Sequence, residues 1–193
     1  VDATAHSAQI VVIGAGFAGA STAWALAERG LGEVLLIDKE STLGVHASGR
    51  NAAMCRQLVE HDEFCALSIE GCEFLHAPPA GFCEHALVST SGSLLVAQDR
   101  VQLEELARRA RAHQLVADAW DAATLTRRYP FLEDLETGGA LFFPRDGVID
   151  VHALLLAFVA GARERGVTLR LGCEATGFSE RSDGVVVHTN RGD

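Results

Sequence analysis

The sequence predicts an α/β fold in which a parallel sheet flanked by helices carries an inserted α+β segment. Three observations lead to this expectation: an apolar run followed by a glycine-rich turn near the start, short strand patterns in the middle, and a return to helix–strand alternation near the end. The expected segments are residues 1–78 for the first part of the α/β domain, 79–147 for the insertion, and 148–193 for the continued α/β domain. Because that last segment stops directly after a strand, we expect it to belong to a longer chain.

The first predicted element is a strand that leads into a glycine-rich turn. The apolar run Ile-Val-Val-Ile at residues 10–13 predicts a buried strand, and the next six residues are Gly14, Ala15, Gly16, Phe17, Ala18 and Gly19. Glycines at this spacing serve a tight turn, a close approach of the backbone to a pyrophosphate, and close packing of a helix on a strand. A helix is predicted over residues 16–29, because small apolar residues line one face and Gly30 follows as a stop signal.

An acidic residue closes the second predicted strand. Residues 33–37 are largely apolar, and Asp38 follows nineteen residues after Gly19, with Lys39 next to it. At that spacing a carboxylate reaches the ribose hydroxyls of a dinucleotide, whereas it would repel the 2′-phosphate of NADP. The motif therefore predicts a Rossmann-like domain that binds FAD or NAD, with the phosphates at the N-terminus of the first helix. The alternative is an ordinary strand–helix turn with incidental glycines.

The middle of the chain predicts the α+β insertion, because short strand patterns there alternate with amphipathic helices. A β-hairpin is expected where the turn residues Ser91 and Gly92 separate two strand patterns. The predicted elements are a helix over residues 61–76 that ends before Pro78-Pro79, strands over 87–89 and 93–96, a helix over 100–113, a short helix that Asp121 caps and that ends before Pro130, and a strand over 139–143.

The last part of the chain returns to the texture of the first. A helix is predicted over residues 151–165, with Asp150 as its N-cap and Gly166 as its stop. Strands are predicted over residues 167–171 and 184–189.

Composition and charge restrict the partners. The chain has 48% hydrophobic and 22% charged residues, which is typical of globular proteins, and its formal net charge is −10. An acidic surface attracts neither nucleic acid nor an anionic membrane, so we expect neither as a partner. No apolar run approaches the roughly 20 residues that span a bilayer, and residues 1–9 lack the pattern of a signal peptide. A cytoplasmic location without integral membrane segments is expected.

Cysteine and histidine spacing predicts neither a disulfide framework nor a metal site. The five cysteines include no C-x-x-C pair, and an odd number of cysteines favours reduced thiols. Cys65 and Cys72 are seven residues apart on a predicted helix, where we expect them to pack as small hydrophobic residues; the alternative is that they bind a metal. The eight histidines show no ligand spacing, so we expect no metal site.

Three segments together resemble one protein family. They are the glycine-rich unit that ends in Asp38, the loop from His46 to Ala53, and Asp146-Gly147-Val148-Ile149-Asp150-Val151 before a helix. With these segments the chain resembles the D-amino-acid oxidase (DAO) family of FAD-dependent oxidoreductases over almost its whole length, and it looks like the N-terminal half of such a protein. The segment Pro78-Pro79-Ala80-Gly81-Phe82-Cys83-Glu84-His85 is most similar to bacterial D-arginine and D-amino-acid dehydrogenases.

The resemblance implies FAD as the cofactor and assigns its binding residues. The loop would lie along the pyrophosphate and beside the isoalloxazine ring, and the backbone of Ala175 would pair with the adenine edge. The loop composition suits this, because Ser48 can bond phosphate and small residues leave room for a flat ring. Arg50 either neutralises phosphate charge or is a solvated surface arginine. The implied cofactor-binding residues are Gly14, Gly16, Phe17, Ala18, Gly19, Asp38, Lys39, Ala47, Ser48, Gly49, Arg50, Asn51, Ala52, Ala53 and Ala175.

Two further side chains are candidates for the substrate side. His46 matches the family position beside the substrate end of the flavin, and its alternative role is structural, bonding a loop carbonyl. Glu84 matches a carboxylate that faces the substrate's side chain, where it would hold a guanidinium or ammonium group through charge-assisted hydrogen bonds. The alternative for Glu84 is an ordinary exposed glutamate.

The resemblance implies oxidation of an amine, in particular a D-amino acid that can be cationic, such as D-arginine. Hydride would pass to flavin N5, and the imine would hydrolyse to a 2-oxo acid. Two alternatives stay open: a flavin-dependent 2-hydroxy-acid or glycerol-phosphate dehydrogenase, and a non-catalytic dinucleotide-binding fragment or subunit. The expected partners are a small amine substrate, an electron acceptor that the sequence does not identify, and a second chain or C-terminal half that completes the fold.

Overall fold

Helices and strands alternate through the computed structural model, which describes residues 7–192. The strands are β1 (Ile10–Ile13), β2 (Val34–Asp38), β3 (Met54–Cys55), β4 (Val88–Ser89), β5 (Ser93–Ala97), β6 (Asp118–Trp120), β7 (Gly139–Phe143), β8 (Gly147–Ile149), β9 (Thr168–Leu171), β10 (Ala175–Arg181) and β11 (Gly184–Thr189). The helices are α1 (Phe17–Glu28), α2 (Asp62–His76), α3 (Arg100–Ala112), α4 (Ala122–Arg128) and α5 (Val151–Glu164), with short 3-10 helices at Ala47–Gly49 and Pro130–Leu132. The expectation of no signal peptide concerns mainly residues 1–6, which lie outside the described residues.

The chain divides into two units. The first contains the described residues up to Ala52, the segment Gly81–Cys83, and the chain from Val151 onward. The second contains Ala53–Ala80 and Glu84–Asp150. The assignment of a cofactor-binding domain and a substrate segment, with borders after residues 78 and 147, stays a prediction.

The first unit is built on a parallel sheet, as the first predicted strands require. Its strand order is β1-β2-β9, with Ile10 paired to Val34 and Leu35 paired to Thr168. Parallel strands need a crossover connection, and α1 supplies it between β1 and β2. The carboxyl ends of β1 and β2 therefore lie side by side at one edge of the sheet.

Small residues allow the helices of the first unit to pack closely. Ala23 of α1 and Ala162 of α5 are both buried with Val34, Leu36 and Val167 in one apolar cluster. A second cluster joins Ala20 of α1 to Leu155 and Val159 of α5. These contacts fix the position of α1 and hence of the glycine-rich turn before it.

The second unit contains two antiparallel sheets of three strands. The strand orders are β3-β8-β4 and β5-β7-β6. Its core includes Phe143, Leu141 and Leu58, which are at most 2% exposed, together with Cys65 and Ala110. The short helix α4 begins as predicted, because the Oδ1 atom of Asp121 accepts a hydrogen bond from the Thr124 amide at 2.8 Å.

The predicted hairpin over residues 87–96 is wrong. Strand β4 pairs with β8, while β5 pairs with β7 in the other sheet, so the two strands are not neighbours. The Ser91-Gly92 turn instead serves a long-range contact, since the Gly92 amide donates to the backbone oxygen of Asp146 at 2.8 Å. Gly92 is required there because its φ is +76° and a Cβ atom would collide with the ring of Phe142.

A buried carboxylate holds this part of the second unit together. Asp146 is fully buried; its Oδ2 atom accepts a hydrogen bond from the Ser93 hydroxyl at 2.6 Å, and its Oδ1 atom accepts one from the Gln57 amide at 3.2 Å. Burial raises the pKa of the Asp146 carboxyl, against the lowering effect of these two hydrogen bonds. Asp146 thus joins chain segments that are far apart in the sequence.

The end of the first unit contains a strand that the sequence analysis does not predict. Strand β10 pairs with β11 in an antiparallel hairpin, with Phe178 opposite Val187. Most of β10 is exposed, and its mixture of polar residues hides the alternation typical of a half-buried strand.

Within residues 7–192, no helix combines the length and the apolar character needed to cross a bilayer.

Candidate functional site

The glycine-rich turn lies at the carboxyl end of β1 and is tightly constrained. Gly14 has a φ of +98°, and its amide donates to the Ile37 carbonyl at 2.7 Å. Gly19, in the first turn of α1, has no room for a side chain, because a Cβ atom there would overlap the Gly14 carbonyl oxygen. The first and third glycines of the motif therefore have the turn and packing roles that the spacing predicts.

The N-terminus of α1 lies beside the loop that the sequence singles out. The Phe17 amide donates to the Ser48 hydroxyl oxygen at 2.9 Å, and Ser48 sits in the 3-10 helix Ala47–Gly49. A Cβ atom on Gly16 would come within 2.7 Å of that oxygen. Gly16 therefore leaves room for the Ser48 hydroxyl at the first turn of α1, where helix amides lack intrahelical acceptors. An anionic group fits such a place, because exposed N–H groups and the helix dipole both favour negative charge.

Asp38 holds the same turn from the end of β2. Its Oδ2 atom accepts a hydrogen bond from the Ala15 amide at 2.6 Å, and its Oδ1 atom accepts one from the Glu40 amide at 2.8 Å. A carboxylate has about four lone-pair sites, so it can still accept hydroxyl donors while making both bonds. The carboxylate predicted to bind ribose is therefore next to the turn predicted to bind phosphate.

The loop after β2 is shaped by its own backbone. Gly44 has a φ of +73°, and a Cβ atom on Gly49 would overlap the Gly44 carbonyl oxygen. The Asn51 side chain donates to the Ser48 carbonyl at 2.9 Å, while Arg50 is exposed. These contacts hold Ser48 in place over α1.

The outer residues of the loop differ in their surroundings. Ala47 and Ala52 are exposed in the first unit. Ala53 belongs to the second unit, where it has a φ of +52° and its carbonyl accepts from the Ile149 amide at 2.7 Å. The roles of these alanines beside a flavin ring stay predictions.

His46 is paired with an acidic residue that the sequence analysis does not single out. Its Nε2 atom lies 2.8 Å from Oε1 of Glu40, whose side chain is 31% exposed, and Lys39 Nζ lies 3.9 Å from the same oxygen. Glu40, two residues after Asp38, thus contacts two of the predicted site residues, His46 and Lys39. The available signal in the sequence was its place two residues after Asp38 and directly after Lys39, but only the fold shows that it meets His46.

The two residues that come shortly before Ala175, the predicted adenine-binding residue, lie against the end of β2. The Cys173 amide donates to the Asp38 carbonyl at 2.8 Å, and the Gly172 amide donates to the Glu40 carbonyl at 2.7 Å. Ala175, half-buried, begins β10 two residues later. The structure therefore brings the segment before Ala175 to the same sheet edge as Asp38.

Glu84, the predicted substrate-binding carboxylate, belongs to the second unit and is exposed. Among the described residues, Asp38, Ser48 and the glycine turn lie together in the first unit, whereas Glu84 belongs to the second unit. Its contact with a substrate stays a prediction.

One group of metal-ligating side chains occurs among the described residues. Atoms of Asp62, Cys65 and His113 lie within 4.8 Å of one another. The Arg109 guanidinium lies among them, since its Nε atom donates to Asp62 Oδ1 at 2.9 Å and its Nη2 atom donates to the Val59 carbonyl at 2.7 Å. A cation is already provided there by the chain itself, and the expectation of no metal site stays a prediction.

Together, the turn, the helix N-terminus and the carboxylate form a place that can hold a dinucleotide. Backbone N–H groups at the start of a helix suit a pyrophosphate, and a carboxylate at the end of the neighbouring strand, such as Asp38, suits a ribose. The residues present therefore fit FAD, which the sequence analysis expects.

Comparisons with known proteins agree with this reading. The family described as "DAO: FAD dependent oxidoreductase" matches residues 9–193. Sarcosine oxidase subunit beta of Rhizobium meliloti is 29% identical over 195 residues, covering 95% of this chain and 46% of that protein. L-2-hydroxyglutarate dehydrogenase of Escherichia coli is 26% identical over 188 residues, covering 94% of this chain and 44% of that protein.

A solved structure has the same fold. NikD, described as an unusual amino acid oxidase essential for nikkomycin biosynthesis, superposes with a TM-score of 0.80 at 29% identity, covering 97% of this chain and 49% of that one. The chain thus spans about half the length of the proteins that it matches. Since the family match extends over nearly all of its residues, the chain belongs to the DAO family of FAD-dependent oxidoreductases.

Proposed function

We propose that the whole protein oxidises an amine substrate, a D-amino acid in particular, with FAD held at the glycine turn of the first unit. The observation that carries the FAD site is the joint arrangement of the turn, the Ser48 hydroxyl over the start of α1, and the Asp38 carboxylate at the neighbouring strand end, whereas the amine donor is supported by the relatives. Bound FAD supplies the hydride acceptor, its N5 atom, for oxidation of the substrate's carbon–nitrogen bond.

In this proposal the first unit binds the cofactor through groups of opposite character at its two ends. The amides at the start of α1 face the pyrophosphate, with Ser48 as an additional partner, and exposed Arg50 offsets phosphate charge. Asp38 accepts hydrogen bonds from the ribose and disfavours a dinucleotide that carries a 2′-phosphate. The backbone at Ala175 serves the adenine.

His46 is held by Glu40 in this arrangement. A histidine beside a carboxylate at 2.8 Å is oriented by it, so we assign His46 first to the support of the cofactor loop. Its expected contact with the substrate end of the flavin depends on whether the ring leaves Glu40 when FAD binds. The Glu40→Gln variant tests this support, because it keeps the shape of the side chain and removes the charge that lies 2.8 Å from the His46 ring.

The choice of an amine donor has support from two of the relatives. One is named as a sarcosine oxidase subunit and one as an amino acid oxidase. Specificity for a cationic D-amino acid such as D-arginine depends on Glu84, an exposed carboxylate that suits a guanidinium or ammonium group. The imine product would hydrolyse to a 2-oxo acid and ammonia.

A second candidate function is oxidation of a 2-hydroxy acid. It is favoured by the relative named L-2-hydroxyglutarate dehydrogenase, which matches 94% of this chain. Both candidates use the same cofactor site and lose hydride from the same type of carbon, and they differ in whether that carbon carries a nitrogen or an oxygen, which decides whether an imine or a 2-oxo acid forms. The cofactor residues therefore do not distinguish them.

The test uses the full-length protein. We expect it to purify with a flavin spectrum that D-arginine or D-lysine bleaches in the absence of oxygen, whereas bleaching by L-2-hydroxyglutarate alone would select the second candidate. A colourless protein that binds NAD, or a yellow one that none of these compounds reduces, would contradict the proposal.

Glu84 is tested by steady-state kinetics. Glu84→Ala is expected to raise KM for cationic substrates at least tenfold, as loss of a charge-assisted bond worth about 1.5 kcal/mol or more predicts, with little effect on apolar substrates. Glu73→Gln, an exposed acid of α2, is the matched control. Equal effects of Glu84→Ala on cationic and apolar substrates would remove Glu84 from the site.

A further inference from the structure

Two buried thiols meet in the second unit. Cys55 ends β3 and Cys72 lies in α2, and their Sγ atoms are 3.1 Å apart. Cys55 is 2% exposed and Cys72 is 5% exposed, and both belong to an apolar cluster with Val88. A disulfide bond joins sulfurs at about 2.05 Å, so the two atoms need to approach by about 1 Å to bond.

The other cysteines provide an internal comparison. Cys65 lies two helical turns before Cys72 on the same helix and is equally buried, but its sulfur contacts the Val59 carbonyl at 3.5 Å instead of a thiol. All five cysteines lie within residues 7–192, and among these described residues Cys55 and Cys72 are the pair whose sulfur atoms are in hydrogen-bond contact. The pairing is therefore a property of this place in the fold and not of the helix.

We propose that Cys55 and Cys72 form a redox modification site, in which a small hydroperoxide converts the pair of thiols to an intramolecular disulfide. In the first step one thiolate attacks the peroxide oxygen and becomes a sulfenic acid, while the peroxide leaves as an alcohol or water. In the second step the other thiol attacks that sulfur and releases water. Overall, two thiols lose two hydrogen atoms and the hydroperoxide is reduced.

The order of attack follows from the surroundings of each sulfur. Burial raises the pKa of both thiols, and the nearby Asp146 carboxyl raises it further. Cys55 lies on the two-residue edge strand β3 and Cys72 lies within helix α2, so Cys55 is the attacking thiol and Cys72 the resolving one, and the reaction accelerates as pH rises.

The oxidant reaches the pair through β3. This strand has two residues and lies at the edge of its sheet, paired to β8 through Met54 opposite Val148 and Cys55 opposite Gly147. Short edge strands open locally at low cost, and the neighbouring Met54 is already 49% exposed. The disulfide would then join this strand covalently to α2.

The experiment treats the full-length protein, freed of reductant, with tert-butyl hydroperoxide and maps its peptides without reduction. Trypsin and a glutamate-specific protease place Cys55 in residues 51–56, Cys65 in 64–70 and Cys72 in 71–73, so each pairing gives a distinct linked peptide. Peptide mapping is preferred to intact mass, because the one methionine, Met54, also gains oxygen in peroxide.

We expect residues 51–56 linked to residues 71–73, released by dithiothreitol, and formed at least tenfold faster at pH 9 than at pH 7. The matched control Cys65→Ser keeps the link, and Cys72→Ser loses it and leaves Cys55 as a sulfenic or higher acid. The wild-type map decides the proposal even if a variant fails to fold. Three outcomes would overturn the proposal: Cys55 and Cys72 stay alkylatable like Cys65, they oxidise separately to sulfinic acids, or they link to other cysteines.

Discussion

Replacement of Asp146 tests the view that one buried carboxylate joins the second unit. Asp146→Ala removes the acceptor of the Ser93 hydroxyl and of the Gln57 amide. Each buried donor left without a partner costs about 1–3 kcal/mol, and the lost side chain leaves a small cavity. We therefore expect Asp146→Ala to lower the free energy of unfolding by about 4 kcal/mol.

Asp146→Asn is expected to cost about 1 kcal/mol or less, because it keeps the shape and one acceptor oxygen and removes a buried charge. The Ser93 hydroxyl can rotate to accept from the new amide. Urea denaturation followed by circular dichroism measures both variants, with Asp134→Asn, an exposed acid of the same unit, as control.

The pH dependence gives an independent reading. Burial raises the pKa of Asp146, so the folded state keeps a proton that the unfolded state loses above the ordinary aspartate pKa of about 4. The contribution of this group is full below that pH and is lost as pH rises through the raised pKa, and Asp146→Asn should remove this decline. Two results would refute the reasoning: Asp146→Ala lowers the free energy of unfolding no more than Asp134→Asn does, or Asp146→Asn lowers it as much as Asp146→Ala.

The remaining predictions concern the glycine turn, the carboxylate beside it, and an exposed ion pair. Gly19→Ala should abolish FAD retention, because its Cβ atom overlaps the turn. Gly71→Ala in α2, with open space around it, should instead raise the unfolding free energy by about 1 kcal/mol. Flavin absorbance and thermal melts measure these effects, and retained FAD in Gly19→Ala would contradict the packing role. Asp38→Ala should weaken FAD binding at least tenfold in a flavin fluorescence titration of apoprotein, and unchanged affinity would exclude the proposed ribose contact. The hydrogen bond from Arg109 lowers the pKa of Asp62. The contribution of the Asp62 carboxylate to stability is therefore present above the ordinary aspartate pKa and is lost as pH falls through the lowered pKa. Asp62→Asn should flatten the acid denaturation curve in that range, and an unchanged slope would refute the link.

The parts of the fold that the sequence predicts are those that depend on local patterns. The glycine turn, α1 and Asp38 follow from spacing within forty residues, and the structure places them together as the spacing requires. The α2 helix, over Asp62–His76, begins one residue after the predicted start and ends where predicted, because prolines follow it.

The parts that the sequence does not predict depend on partners far along the chain. Strands β4 and β5 look like a hairpin locally, but their partners are β8 and β7, which lie about 60 and about 45 residues later. Glu40 was not singled out because its value as a partner of His46 arises from the fold of the loop. Asp146 meets Gln57 across 89 positions, a contact for which no short motif exists.

The bond between Asp38 and the Ala15 amide has a consequence for cofactor engineering. The carboxylate proposed to recognise a ribose also closes the turn, so its exchange for a 2′-phosphate acceptor removes the turn's internal support. Because that support is present before any ligand arrives, the entropy of ordering the turn is lost during folding, and the ligand meets a prepared surface. A variant designed for a different dinucleotide therefore needs a replacement acceptor for the Ala15 amide, introduced together with the new recognition residue.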